Sequence, residues 1–183
     1  MKKYQRQHFC LLLLLLQPVS AITADEVTRN IIEISAGIGY YNFDGERNID
    51  DSAMGSVGLG LYPSRRWAFL LNYSALDTET TTSGVSQKVD MQKYHVDAYR
   101  FFNTEKSFRP YLVAGFGQMD LVSEVNKSNK NMFNAGFGLS YKMMPSWSVR
   151  VDARIFSSTN NDYHDNALTL TLGYRFNGGE KGD

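Results

Sequence analysis

Beyond its first two dozen residues, this sequence alternates. Apolar side chains take turns with small or polar ones in eight separate runs, and no sustained helical period interrupts them. The runs are about ten to twelve residues long. Globular strands average about five to six, whereas a tilted strand crossing a bilayer needs about 9–11. Length and period together point to an all-β protein whose strands cross a membrane.

In the first run Ile32, Ile34, Ala36, Ile38 and Tyr40 share a face, and Glu33, Ser35, Gly37, Gly39 and Tyr41 share the other. The second sets Val57, Leu59 and Leu61 against Ser56, Gly58 and Gly60. The third sets Trp67, Phe69, Leu71 and Tyr73 against Asn72 and Ser74, and the fourth Tyr94, Val96, Ala98 and Phe102 against His95 and Asp97. The fifth, "RPYLVAGFGQMDL", is apolar on both faces. The sixth sets Phe133, Ala135, Phe137, Leu139 and Tyr141 against Asn134, Gly136, Gly138, Ser140 and Lys142. The seventh sets Trp147, Val149, Val151, Ala153 and Ile155 against Arg150, Asp152 and Arg154. The eighth, "LTLTLGYRF", sets Leu168, Leu170, Leu172, Tyr174 and Phe176 against Thr169, Thr171, Gly173 and Arg175.

The links between runs alternate in size. Short ones are expected at Pro63 to Arg66, Asn103 to Ser107 and Met143 to Ser146. Longer polar ones are expected at about Asp44 to Ser52, Asp77 to Asp90, Asp120 to Asn131 and Ser157 to Asn166. An even strand number with short turns at one end and long loops at the other is the pattern of an eight-stranded antiparallel up-and-down transmembrane β-barrel. Closure leaves no unpaired edge in hydrocarbon. No second domain is apparent.

Which face is outside follows from size. Eight strands enclose an interior only just wide enough for side chains. The glycine- and serine-rich face fits that interior, and the bulky Ile, Leu and Phe face fits lipid. Aromatics at the strand ends (Tyr62, Trp67, Phe102, Tyr111, Tyr141 and Trp147 beside the short turns) are expected to form an interfacial girdle.

The chain opens with Lys2, Lys3 and Arg6, an apolar stretch from Phe9 to Leu16, and small residues suited to cleavage. This is the three-part pattern of a secretory signal peptide, expected over residues 1–21 with cleavage as late as 24 as the alternative. The barrel is expected over 22–176 and a short polar periplasmic tail over 177–183. Cys10, the single cysteine, leaves with the signal, so no thiolate metal site or disulfide is expected. The remaining chain has sixteen basic residues against nineteen acidic ones, a net charge of −3. No basic patch suggests nucleic acid as a partner.

Glu33, His95, Asp97, Lys142, Arg150, Asp152, Arg154 and Arg175 fall on the presumed interior face. Unpaired charge in so narrow a space is costly, so these residues are read as a salt-bridged plug. The alternative is a charge-lined ion path, which would make the protein a small porin. The long links are acidic, with Asp44, Glu46, Asp50 and Asp51 in the first and Asp77, Glu79 and Asp90 in the second. They read as solvated surface, without calcium-loop spacing. A Ser–His–acid site could be drawn from Ser157 or Ser158, His164 and Asp162 or Asp165, but no nucleophile elbow accompanies it. No enzyme activity, cofactor or metal is expected.

"AGIGYYNFD", "HVDAYRFF" followed by "RPYLVAGFG", "WSVRVDARIF" and "LTLTLGYRF" together resemble the β-barrel domain of the OmpA-like outer-membrane proteins of Gram-negative bacteria. The resemblance spans nearly all of the chain after the signal. It implies a small barrel in the bacterial outer membrane, with a role in envelope integrity, adhesion or limited solute passage. It implies contact with outer-membrane lipid and lipopolysaccharide, and leaves the loop partner open. It also implies insertion by the outer-membrane assembly machinery, which reads a last strand of alternating apolar residues ending in an aromatic; Leu168, Leu170, Leu172, Tyr174 and Phe176 match that signal. Larger relatives continue into a peptidoglycan-binding domain, for which this sequence offers no counterpart. Some outer-membrane barrels are lipid-modifying hydrolases, which keeps that activity as a second alternative.

Overall fold

The computed structural model describes residues 31–45, 49–82, 85–123, 127–159 and 163–176. The expected signal segment and tail lie outside them. Eight strands follow one another: β1 (Ile31–Asn42), β2 (Ser52–Tyr62), β3 (Trp67–Thr82), β4 (Val85–Phe101), β5 (Phe108–Ser123), β6 (Lys127–Lys142), β7 (Trp147–Ser158) and β8 (His164–Phe176). Each pairs antiparallel with its sequence neighbour, and β1 pairs with β8 from Ile32↔Phe176 to Asn42↔Asn166, closing the barrel.

The three short turns fall where Pro, Ser and Asn interrupt the alternation. Ser64 Oγ accepts from the backbone N–H groups of Arg66 and Trp67, which tightens the first. Asn103 stands at φ 51° in the second, a conformation that asparagine tolerates better than most residues. In the third, Met144 and Trp147 bond each other's backbone.

The other end differs from expectation. The stretch expected as a long link, Asp77 to Asp90, is largely strand: β3 and β4 stay in register from Trp67↔Arg100 out to Thr82↔Val85. β5 and β6 likewise pair out to Val122↔Lys127. Asp165, expected in the last link, lies in β8 with its side chain buried. Outside the bilayer nothing demands an apolar face, so the alternation fades while the backbone ladder continues. The first link is stitched to this extension: Asp50 N–H donates to Glu79 O, and Ser52 Oγ donates to Asp77 O at 2.6 Å.

The outer wall is apolar over a belt that includes Ile34, Ile38, Leu59, Leu71, Phe116, Phe137, Val151 and Leu170, with Ile38 68% exposed. Such a wall is suited to hydrocarbon rather than water. On β3 and β4 the belt ends at the cross-strand pair Tyr73–Tyr94, with ring centroids 4.9 Å apart. Beyond it the wall turns to Asp77↔Asp90 and Glu79↔Lys88.

The interior holds two apolar clusters. One, at the short-turn end, comprises Tyr62, Ala68, Leu70, Tyr99, Phe101, Tyr111 and Val113. The other, toward the loops, comprises Tyr41, Phe43, Met54, Leu76, Met91, Met119, Met132, Phe156 and Ala167. The fifth run looked apolar on both faces because it feeds both clusters from inside while meeting lipid outside.

Candidate functional site

Strand parity aims the charged side chains of β1, β4, β7 and β8 at the barrel axis, where they sort into three tiers. In the tier nearest the short turns, Glu33 is fully buried. It accepts from Arg150 Nη1, from Arg175 Nε at 2.9 Å and from Tyr62 Oη at 2.8 Å. Arg150 Nη1 also donates to Tyr62 Oη at 3.1 Å. Gly173 makes room for this arrangement, since a Cβ there would stand 2.7 Å from the Glu33 carboxyl carbon.

Arg154 is the hub of the middle tier. Its Nη1 donates to Asp97 Oδ2 at 2.6 Å, its Nε to Asp152 Oδ1 at 2.5 Å and its Nη2 to Tyr99 Oη at 2.5 Å. Asp97 also accepts from Asn72 Nδ2 and Asn134 Nδ2, and its Oδ1 lies 2.9 Å from His95 Nδ1. Asp152 accepts from Tyr111 Oη at 2.7 Å. Gly115 leaves space for this tier, because a Cβ there would collide with Asp97 Oδ1. Multiply bonded, charge-assisted contacts of this kind are the strong ones in a low-dielectric interior.

The third tier faces the loops. Lys93 is buried with Nζ 3.8 Å from the centre of the Tyr41 ring and 4.1 Å from that of Phe156. Tyr41 Oη donates to Asp165 Oδ2 at 2.9 Å, and Asp44 N–H donates to Asp165 Oδ1. Between the tiers lies a cavity of about 30 Å³, lined by Ser35, Ser56, Asn72, Ser74, His95 and Thr169 among others. That volume holds a few water molecules at most.

Of the residues expected to line the interior, Glu33, His95, Asp97, Arg150, Asp152, Arg154 and Arg175 all lie buried in these tiers. Lys142 does not. It sits at the last position of β6 beside the Met143–Ser146 turn, exposed at the rim. Two residues expected in the girdle point the other way. Tyr62 and Tyr111 are 4% and 2% exposed and face the lumen, where their hydroxyls bond Glu33 and Asp152. Parity carried the signal: Tyr62 is in step with Gly60, and Tyr111 with Gly115 and Gly117. Trp67, Phe102, Tyr141 and Trp147 lie on the outer wall or at the rim, Trp67 beneath the Arg100 guanidinium and Trp147 against Tyr174. Leu168, Leu170, Leu172 and Phe176 are exposed on the outer face of β8, with Tyr174 half-buried beside them. Lys93, Tyr99 and Arg109 are lumen residues that the sequence did not single out, although each was in step with interior neighbours; Asp165, read from the sequence as a link residue and candidate catalytic acid, is a lumen residue as well.

Ser157 Oγ and His164 Nδ1 do meet, at 2.9 Å, near the loop end of the wall. Asp165 points inward to Tyr41 instead, and Asp162 lies outside the described residues. Among the described residues no carboxylate meets the His164 ring.

The chain from residue 9 to 176 matches the model of a family described as outer membrane protein beta-barrel domain. Among solved structures, Neisserial surface protein A is similar at a TM-score of 0.68 and 12% identity, over 81% of this chain and 100% of that one. Ail, the attachment invasion locus protein of Yersinia pestis, is similar at a TM-score of 0.54 and 19% identity, over 81% and 99%. The N-terminal β-barrel domain of Pseudomonas aeruginosa OprF is similar at 0.52 and 18% identity, over 80% and 98%. At these identities the likeness is one of fold. No curated protein matches the chain.

Proposed function

This chain belongs to the outer membrane protein beta-barrel domain family, and on that premise we propose that it serves the bacterial outer membrane as a sealed, non-enzymatic barrel with a structural or surface-contact role. The observation that carries this reading is the filled lumen. Two apolar clusters and three ionic tiers occupy its length, and a cavity among them measures about 30 Å³. The belt supports lipid and lipopolysaccharide as its immediate surroundings, and the extended β3–β4 hairpin provides the surface for a loop partner.

The reading is tested by conductance. The purified barrel in a planar bilayer is expected to show no steady, sizeable openings; such openings would make it a small porin instead. The outer face of β8 is read as the assembly signal, with Phe176 as its terminal aromatic. Phe176→Ala is then expected to lower the amount of heat-modifiable barrel recovered from outer membranes, whereas trimming after Phe176 leaves it unchanged. Normal insertion of Phe176→Ala would remove that role.

A further inference from the structure

Charge is unevenly shared along the lumen. Among the described residues, the middle tier holds Asp97 and Asp152 against Arg154, and the loop tier sets Lys93 against Asp165. The short-turn tier holds three guanidinium groups, those of Arg109, Arg150 and Arg175, against the single carboxylate of Glu33, a formal excess of two positive charges. Glu33 already accepts from Arg150, Arg175 and Tyr62. No described acid remains there for Arg109.

The same tier holds unused donors. Arg109 Nε and Nη2, Arg175 Nη2 and the Ser140 and Ser148 hydroxyls have no hydrogen-bond partner among the described residues. Arg109 and Arg175 are only 7% and 8% exposed, and the two serines are buried. The sheet makes these residues neighbours. Arg109 pairs with Ser140, Ser140 with Arg150, and Ser148 with Gly173, two residues before Arg175. Arg175 Cζ lies 4.3 Å from the Tyr62 ring centre and Arg109 Cζ 5.1 Å from that of Phe101, and these two rings stack with centroids 6.1 Å apart. The two guanidinium groups thus flank one aromatic floor.

A buried guanidinium edge without an acceptor is costly, and water satisfies its hydrogen bonds without offsetting its charge. A small oxyanion does both, because its oxygens match the planar fork of an arginine and accept from hydroxyls as well. Short turns are periplasmic in outer-membrane barrels, so this tier lies at the periplasmic end of the lumen. We propose that the periplasmic end of the lumen is a binding site for a small oxyanion of the phosphate type, held by Arg109 and Arg175 with the Ser140 and Ser148 hydroxyls. The site lies on the short-turn side of the middle tier, and it stands independently of whether the lumen conducts.

The test is a calorimetric titration of the barrel, purified from outer membranes into phosphate-free non-ionic detergent, with inorganic phosphate at constant ionic strength. Saturable binding is expected, weakened at least tenfold by Arg109→Gln and by a smaller factor in a Ser140→Ala, Ser148→Ala double variant. Heat-modifiable gel mobility reports whether each variant is folded. If Arg109→Gln fails to fold, the serine variant alone decides the matter. Lys93→Met, in the opposite tier, is expected to leave binding unchanged. Repetition in phosphatidylglycerol vesicles separates sources: unchanged affinity assigns the site to a free anion, and competitive loss assigns it to a lipid phosphate, either of which retains the oxyanion chemistry. Absence of saturable binding, or equal binding by folded Arg109→Gln or the folded serine variant, would overturn the proposal.

Discussion

The two halves of the lumen are filled by different materials. Toward the short turns the filling is Tyr62, Tyr99, Phe101 and Tyr111, packed with rings 5.3–6.1 Å apart around arginine and Glu33. Toward the loops it is Met54, Met91, Met119 and Met132 around Tyr41, Phe156 and Lys93. Tyrosine hydroxyls aimed at carboxylates admit one arrangement, whereas unbranched thioether chains adapt to many. The first half therefore specifies the interior, and the second fills it tolerantly. Both exclude water, but they should respond to substitution on different scales.

The largest effect is expected at Glu33. Glu33→Gln takes the charge from the partner of Arg150 and Arg175, and breaking a buried ionic group in this way costs about 3–5 kcal/mol. Urea unfolding of the barrel in lipid vesicles measures it, and a loss below about 1 kcal/mol would erase the distinction between the halves. A smaller effect is expected from Tyr111→Phe, which withdraws one donor from Asp152 while keeping the ring; about 1–3 kcal/mol is the expected loss by the same unfolding experiment. The smallest is expected from Lys93→Met. Lys93 Nζ lies over two rings but has no hydrogen-bond partner among the described residues, and a methionine joins four others in its cluster. Stability should change by less than about 1 kcal/mol in either direction, since relief of a buried charge offsets the missing attraction between ammonium and rings. A loss as large as that of Glu33→Gln would mean the loop half is as specifically built as its opposite.

Much of the barrel was legible because a bilayer imposes a strict rule on one face only. Wherever Ile, Leu, Val and Phe had to meet lipid, period two survived, and the links at Pro63 to Arg66 and Met143 to Ser146 fall between strands as expected. The outer parts of β3 and β4 were hidden because the rule lapses beyond the Tyr73–Tyr94 pair, where Asp77 and Glu79 on the outer face are open to water. The lumen was half legible. Parity identified Glu33, Asp97 and Arg154, but residue type misled at Tyr62 and Tyr111, where an aromatic beside a short turn suggested the interface although its strand position put it inside. Lys142 failed in the opposite way: its parity was inward, yet the strand ends there and long side chains at a rim reach water. Which cation meets which carboxylate was not legible at all, because that depends on how eight walls are staggered around one axis.

The contact between Glu33 and Arg175 has a consequence for how the barrel shuts. β1 and β8 are its first and last strands, so their pairing completes the cylinder. A seam displaced by one residue would turn the Leu168–Phe176 face inward, and side-chain alternation alone rejects it. A seam displaced by two keeps every face correct, so alternation is blind to it. The ion pair is not: that displacement would set Glu33 opposite Gly173 or beyond Arg175, leaving a buried carboxylate short of a partner. One acid and one base, 142 residues apart, thus act as a register check that the greasy surface cannot perform for itself.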